Sequence, residues 1–279
     1  MGFSDERQVY MNETIVYLYR VPVDSGTAPC AYTIQGGHLA PSELLTLACC
    51  KGGSYGARKR PHQTGMRHEI GRDYKDKLDT VDLWLCGAYT PKKGKPKKGK
   101  HETKLLYLAK VNEIMTMEDY YADSQYSARS DYVYSVIPPA DRKLDPSANY
   151  CFYLKRNRRN QYFHNTVCPK GEQPLEDAQR LWIKDQLGTY VLLSREFVYL
   201  GKKSETCSIH LSSFPDVLDH MPDKQGYQPW APGEEPNDFS ALKDALFSTY
   251  VKPGEKYFTA PAPRELLIEG KCGSGGCQL

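Results

Sequence analysis

A short cysteine-, glycine- and cation-rich segment carries the strongest local pattern for chemistry in the 279-residue chain. It runs from Cys49 through a pair of glycines to a cluster of positive charges, and its cations are Lys51, Arg58, Lys59 and Arg60. Glycine backbone lets N–H groups approach an anion, and the guanidinium of arginine fits phosphate in a bidentate manner. We therefore predict that these four cations contact phosphate. The alternative is a buried cysteine pair followed by a solvated loop.

The same segment contains a candidate nucleophile. Cys50 stands beside Lys51, and a neighbouring cation lowers the pKa of a thiol and so activates it. Asp24 and His38 precede this pair, and His38 could carry protons during a reaction. These four residues are the catalytic candidates. Because buried cysteines are usually inert, the sequence leaves the question of catalysis open.

Charge is distributed unevenly along the chain. The whole sequence has 37 Lys or Arg and 34 Asp or Glu, but residues 51–110 hold 16 of these cations and only 6 of the acids. Residues 91–100, PKKGKPKKGK, are too charged to pack, so we predict a hairpin tip or loop in which Lys97 and Lys98 contact phosphate. This excess favours a phosphate or nucleic-acid partner, with a solvated lysine loop as the alternative.

Aromatic residues supply a second kind of candidate contact. Trp84 could stack on a base, which is worth ~1–3 kcal/mol per base, although core packing is the alternative for it. Arg156 lies in a second basic cluster, 155–160, beside Tyr162 and Phe163, and we predict that it contacts phosphate unless the cluster is a solvated turn. The 21 tyrosines against 8 phenylalanines favour a half-exposed aromatic surface over a dry core.

Several familiar classes of protein are not indicated. The chain has 40% hydrophobic and 25% charged residues, which argues against disorder. It contains no phosphate-binding loop, dinucleotide fingerprint or Cys-x-x-Cys pair, so we expect no cofactor and no metal, and its nine cysteines are expected to be free thiols. With no signal-peptide pattern and no apolar run of about 20 residues, we expect a cytoplasmic protein without membrane contact.

The elements that must position these residues are mostly strands. Residues 51–72 have no apolar period and are expected to form a loop, whereas 42–50 fits a short buried helix or, alternatively, a strand. Strands are predicted at 9–21, 30–34, 81–87, 104–114, 131–137, 150–155 and 190–200. Helices are predicted at 116–121, 175–187, 212–220 and 238–250, with Thr116 and Asp238 as N-caps.

This order of elements predicts an α+β fold. We expect a mostly antiparallel curved sheet or a small β-barrel, flanked by short helices. Residues 1–221 are expected to form one α+β domain. Residues 222–279, a Pro/Gly-rich loop, a helix and a tail, are expected to pack on it or to be appended to it.

Six segments in the same order resemble one known family: Asp24–Pro29, Leu45–Lys51, Trp84–Gly87, Leu106–Tyr121, Asp131–Tyr134 and Val191–Gly201. The family is the second nucleotide modification associated domain, found in bacteria and phages beside genes for DNA base modification, and the resemblance spans roughly residues 8–205. The chain departs from the family pattern at Gly52, which begins a longer insertion, and at Asp82, which is displaced from the position directly before Trp84.

The resemblance implies a nucleotide-modification-associated protein that binds nucleic acid or a nucleotide and serves DNA modification or conflict with phages. Two alternatives stay open, namely an enzyme that alters a base or nucleotide and a regulatory module that binds a partner protein through its tyrosine-rich surface. A second resemblance, in architecture alone, is to the pseudouridine-synthase-associated (PUA-like) barrels, which bind RNA, modified bases or nucleotides.

Overall fold

The structure is a computed structural model that describes residues 13–21, 29–36, 38–48, 54–55, 61–62, 65–89, 103–145, 150–151, 153–156, 185–201, 208–223 and 226–261. Its strands of three or more residues are β1 (Glu13–Arg20), β2 (Cys30–Gln35), β3 (His38–Leu47), β4 (Val81–Tyr89), β5 (Lys104–Lys110), β6 (Glu113–Thr116), β7 (Tyr134–Val136), β8 (Leu154–Arg156), β9 (Tyr190–Ser194), β10 (Glu196–Tyr199), β11 (Tyr227–Trp230) and β12 (Tyr257–Thr259). Its α-helices are α1 (Met66–Tyr74), α2 (Met117–Ala122), α3 (Pro215–Asp219) and α4 (Asp238–Tyr250).

These strands form two main sheets. The larger sheet has the order β11-β1-β4-β5-β10-β12, in which β1 runs parallel to β4 and β10 runs parallel to β12. The smaller sheet, β2-β3-β9-β6, is antiparallel throughout, and β7 pairs with β8 beside it. The predicted α+β class with mostly antiparallel strands is therefore confirmed. Within the described residues both sheets are open, so the small-barrel form of the prediction and the PUA-like resemblance are not confirmed.

Three apolar layers follow from the alternation of side chains along the strands. Tyr17 and Tyr19 of β1 point into the layer between the two sheets, whereas Val16 and Leu18 point to the other face of the larger sheet. That outer face is covered by α3 and α4. The outer face of the smaller sheet is covered by α2. Each sheet is thus buried on both faces, which explains why the strands contain near-continuous apolar runs.

The helix that 42–50 was expected to form is instead the second half of β3. This segment pairs with β2 on one side and β9 on the other, so its backbone groups are satisfied by two neighbouring strands. Leu45 and Leu47 face the layer between the sheets, and Leu44 and Ala48 face α2. A short apolar run is compatible with a helix or a strand, and here the pairing with β2 and β9 makes it a strand, which was the alternative prediction.

The predicted loop over 51–72 is wrong in its last part, because α1 begins at Met66. The predicted helices at 116–121 and 238–250 agree with α2 and α4 to within one residue at each end, whereas the one predicted at 212–220 is the shorter α3. The hydroxyl of Thr116 accepts the N–H of Asp119 at 3.0 Å, so the predicted cap of α2 is confirmed. At α4 the N-cap is Asn237, one residue before the predicted Asp238. The predicted helix at 175–187 lies outside the described residues except for 185–187, which are helical.

The expected half-exposed tyrosine surface is also wrong for much of the chain. Nine described tyrosines are buried, namely Tyr17, Tyr19, Tyr32, Tyr107, Tyr120, Tyr121, Tyr126, Tyr134 and Tyr199. Several of their hydroxyls reach internal acceptors; for example, Tyr32 donates to the carbonyl of Ala260 at 2.9 Å. A phenol that finds a hydrogen-bond partner can be buried at little cost, and the core of this protein uses tyrosine in that way.

Candidate functional site

One end of the larger sheet brings together the ends of neighbouring strands. Because β1 and β4 are parallel, Arg20 lies opposite Ala88, and the N–H of Val21 donates to the carbonyl of Ala88 at 2.8 Å. On the other side of β4, Tyr89 lies opposite Lys104. The next strand, β10, also ends here, where the N–H of Gly201 donates to Leu106. We call this end of the larger sheet the loop edge.

Three charged segments begin at the loop edge. Residues 22–28 follow Val21 and contain Asp24, and residues 202–207 follow Gly201 with two lysines and one glutamate. Residues 90–102 join β4 to β5 and contain six lysines, including Lys97 and Lys98, and one glutamate. The hairpin predicted across this tip is confirmed by the antiparallel pairing of β4 and β5. The three segments lie outside the described residues, so the contacts of Asp24, Lys97 and Lys98 remain predictions.

The segment that contains Asp24 ends beside the start of the cysteine-lysine segment. Chain 22–28 enters β2 at Cys30, and Cys30 pairs with Thr46 near the end of β3. Residues 49–53 follow directly after Ala48 at the same place. Cys50 and Lys51, and likewise Arg58, Lys59 and Arg60, lie outside the described residues. The segment that contains Asp24 and the segment that contains Cys50 and Lys51 are therefore attached to the smaller sheet at neighbouring positions.

A buried ionic network supports this junction. The guanidinium of Arg129 donates to the carbonyl of Cys30 at 2.6 Å and lies 3.6 Å from the carboxylate of Asp131. Thr46 and Tyr120 both donate to the same carboxylate, the latter at 2.8 Å. Burial raises the pKa of the Cys30 thiol, so this cysteine stays protonated and unreactive. The network positions the ends of β2 and β3 rather than presenting a reactive group.

His38 lies away from the other catalytic candidates. Its side chain is exposed, and it pairs with Gln35 at the turn between β2 and β3. Cys30 begins β2 at the opposite end, five residues earlier than Gln35, which corresponds to about 17 Å of extended strand. The fold does not bring His38 to the junction where the Asp24 and Cys50 segments attach. Its role as a proton carrier remains a prediction.

Trp84 lies in the core beneath α4, with 1% of its surface exposed. Phe239 and Phe247 of α4 contact its ring edge to face, at centroid distances of 5.8 and 6.1 Å. Its indole N–H donates to Asp82 at 2.7 Å, and the other oxygen of that carboxylate lies 2.6 Å from Lys110. This arrangement corresponds to the core-packing alternative, and a base could stack on Trp84 only if α4 moved.

Arg156 stands in β8, where its backbone pairs with Tyr134 of β7. Its side chain lies outside the described part of the structure, so its predicted phosphate contact remains a prediction. Within the described residues, no group of three or more His, Cys, Asp or Glu side chains is arranged to hold a metal ion. No helix in the described ranges has the length and apolar character needed to cross a bilayer.

Helix α1 is held in place by contacts that leave no apolar periodicity in the sequence. The buried guanidinium of Arg67 donates to the carbonyls of Asp185 and Tyr190, the former at 2.7 Å. His68 Nδ1 lies 3.2 Å from the hydroxyl of Thr189, whose φ of 60° is strained for a β-branched residue. Gly71 lies directly under the ring of Tyr190. One side of α1 is therefore locked onto the turn before β9.

The other side of α1 presents a carboxylate to the larger sheet. Glu69 accepts the hydroxyl of Tyr17 from β1 at 3.3 Å and that of Tyr227 from β11 at 2.5 Å. The Tyr17 ring stacks on Tyr227 at 6.1 Å and meets Tyr74 edge to face at 6.3 Å. Burial raises the pKa of all three phenols, with the carboxylate of Glu69 adding to the effect, so they stay protonated. We call these four residues the Glu69 cluster, and no sequence signal pointed to it.

Comparison with known sequences identifies the family. Residues 76–251, more than half of the chain, match the family described as nucleotide modification associated domain 2. The chain belongs to this family. The name associates the domain with nucleotide modification. No curated protein and no solved structure shows significant similarity to the chain.

The family match differs in extent from the resemblance noted in the sequence. It begins after the segments at 24–29 and 45–51 and continues past 205 to residue 251. It includes Trp84 and the lysine-rich residues 90–102, whereas Cys50, Lys51 and the whole of α1 precede it. It also crosses residue 222, where a second segment was expected to begin; the division of the chain at that point remains a prediction.

Proposed function

We propose that this protein binds a nucleotide or nucleic acid and holds its phosphate groups at the loop edge, in the service of nucleotide modification. One observation carries the proposal. The hydrogen bond from Val21 to Ala88, together with the pairing of Tyr89 with Lys104, sets the start of the Asp24 segment beside the lysine-rich residues 90–102. The family match supports the same function, because its name concerns nucleotide modification.

Electrostatics favour an anionic ligand at this edge. Residues 90–102 and 202–207 together carry eight lysines against two glutamates; the first segment leads into β5, and the second follows β10, which pairs with β5. Cations gathered on one side of a protein attract phosphate and release its counterions when it binds. In this proposal Lys51, Arg58, Lys59 and Arg60 add a second set of phosphate contacts, because their segment attaches beside Cys30.

A matched pair of charge variants tests the proposal. Lys97→Gln with Lys98→Gln removes two charges from the segment at the loop edge. Lys75→Gln with Lys77→Gln removes two exposed charges at the opposite end of β4, where the N–H of Val81 donates to Lys77. The probe is a fluorescent single-stranded DNA oligonucleotide, and its dissociation constant is measured from 50 to 200 mM salt.

We expect the loop-edge variant to bind more weakly and to lower the slope of log K against log salt by about 1.4, since each single-strand phosphate contact contributes about 0.7. The control variant should bind like the wild type. An equal loss in both variants would contradict a site at the loop edge. Failure of the wild type to bind DNA, RNA or nucleotides at low salt would contradict the proposed function as a whole.

The biological setting of this function rests on the family resemblance and is also a proposal. It places the protein in DNA modification or conflict with phages, with catalysis by Cys50, Lys51, Asp24 and His38 as an alternative to binding alone. Mass spectrometry of nucleosides from cells that express the wild type or Cys50→Ala separates these functions. An unchanged nucleoside profile in both would count against catalysis, and a protein partner that co-purifies without nucleic acid would favour a regulatory module.

A further inference from the structure

The carboxylate of Glu69 has capacity for more hydrogen bonds than the fold uses. An ionised carboxylate accepts at about four lone-pair positions and donates nothing. Two of these positions are taken by the hydroxyls of Tyr17 and Tyr227. Both hydroxyls are donors, because burial and the nearby carboxylate raise the pKa of each phenol. The Glu69 side chain is only half-buried, so a ligand that reaches it must approach with N–H or O–H donors.

Aromatic faces lie directly beside this acceptor. Tyr17 is buried, but Tyr74 and Tyr227 are half-exposed and flank it on two sides. Every nucleobase has a π-face, and stacking on an aromatic side chain is worth ~1–3 kcal/mol per base. A half-exposed carboxylate between half-exposed phenol rings is therefore suited to a flat ligand with donors on its edge.

The Glu69 cluster also lies close to the loop edge. Tyr227 pairs with Tyr19, which precedes Val21 by two residues, a distance of about 7 Å along the strand. Tyr17 lies four residues before Val21, about 13 Å along the strand, so a nucleotide whose base is held at Glu69 can extend along β1 toward the end where the Asp24 and lysine-rich segments begin. This spatial relation connects the cluster to the phosphate contacts of the proposed function.

We propose that Glu69 reads the edge of a nucleobase that carries an exocyclic amino group, with guanine as the best fit. The inference rests on the proposed function and deepens it. Guanine offers N1–H and N2–H donors side by side, which match the two oxygens of one carboxylate. Cytosine and adenine each offer a single amino group, and thymine offers one imide N–H between two carbonyl acceptors. Those carbonyls would face the acceptor-only carboxylate, so thymine should bind most weakly.

The test uses the full chain and the four deoxynucleoside 5′-monophosphates, with binding measured by isothermal titration calorimetry. We expect the wild type to bind dGMP about tenfold or more tightly than dTMP, in keeping with a bidentate base contact. Glu69→Gln replaces one acceptor oxygen with an NH₂ donor and should bring the two affinities within about threefold of each other. Asp73→Asn, which removes a charge from the same helix outside the cluster, is the control and should keep the preference.

A second variant keeps the proposal testable if Glu69→Gln does not fold. Tyr74→Leu removes one stacking face and should weaken all four nucleotides alike while leaving their ranking unchanged. Equal binding of the four nucleotides by the wild type would overturn the inference, and so would a dGMP preference that survives in Glu69→Gln. Salt-dependent binding of an oligonucleotide without binding of any mononucleotide would overturn the inference alone. Absence of both kinds of binding would overturn the proposed function as well.

Discussion

The close contact between Gly71 and Tyr190 allows the docking of α1 to be tested quantitatively. A Cβ at position 71 would lie 2.0 Å from Cδ2 and 2.2 Å from Cγ of the Tyr190 ring. These atoms form the body of the ring, so Gly71→Ala forces the ring off the helix. Such overpacking costs about 1–3 kcal/mol. We expect that loss in the free energy of unfolding, measured by urea denaturation with circular dichroism.

The effect of Gly71→Ala on the free energy of unfolding should change sign once the ring of Tyr190 is removed. Alanine is favoured over glycine inside a helix by about 0.5–1 kcal/mol. In a Tyr190→Ala background, Gly71→Ala should therefore stabilise the protein by that amount, and the double-mutant cycle should give a coupling free energy of about 1.5–4 kcal/mol. An equal cost of Gly71→Ala in both backgrounds would refute the packing of α1 against β9 described above.

Three further predictions concern buried ionisable groups. Asp131→Ala leaves the Arg129 guanidinium buried without its carboxylate and should lower the free energy of unfolding by about 3–5 kcal/mol, whereas a loss below about 1 kcal/mol in urea denaturation would contradict the network. Burial raises the pKa of Cys86 to about 12 and also raises those of Tyr107 and Tyr120. The unfolded chain then loses protons that the folded chain keeps, so stability measured by denaturation should fall as pH rises above about 9, and a flat profile to pH 11 would argue against these burials. Cys86 should resist iodoacetamide at pH 8 in the native protein and react in urea, which peptide mass spectrometry can follow; modification of the native protein would contradict its burial.

The strands and the β4–β5 hairpin could be predicted because their signals are local. Alternating or continuous apolar residues with turn residues at the ends specify a strand within a few positions. Helix α1 could not be predicted in this way, since of its apolar residues only Met66 and Ile70 are buried. Its other attachments are Arg67 to two distant carbonyls and Gly71 beneath Tyr190. Contacts with partners more than a hundred residues away leave no period in the sequence.

The candidate sites likewise combine features that the sequence shows with features that only the fold brings together. The lysine-rich residues 90–102 are visible in the composition, and the sheet register then explains why they begin beside the segment 22–28, which contains Asp24. The Glu69 cluster combines residues from three separate stretches, Tyr17, the α1 residues and Tyr227, whose spacing in the sequence carries no motif. Tyrosine content suggested exposed aromatic surface, yet nine of the described tyrosines are buried in the core, where hydroxyls can find internal hydrogen-bond partners.

Hydrogen–deuterium exchange with a saturating single-stranded DNA oligonucleotide would show whether a nucleic acid is held at the loop edge. We predict slower exchange in peptides that contain Val21, residues 88–106 and Gly201, at the loop edge. We predict no change at the opposite end of the larger sheet, in peptides that contain Val81 or Asn112. Protection confined to that opposite end, or saturated binding without protection at the loop edge, would contradict it.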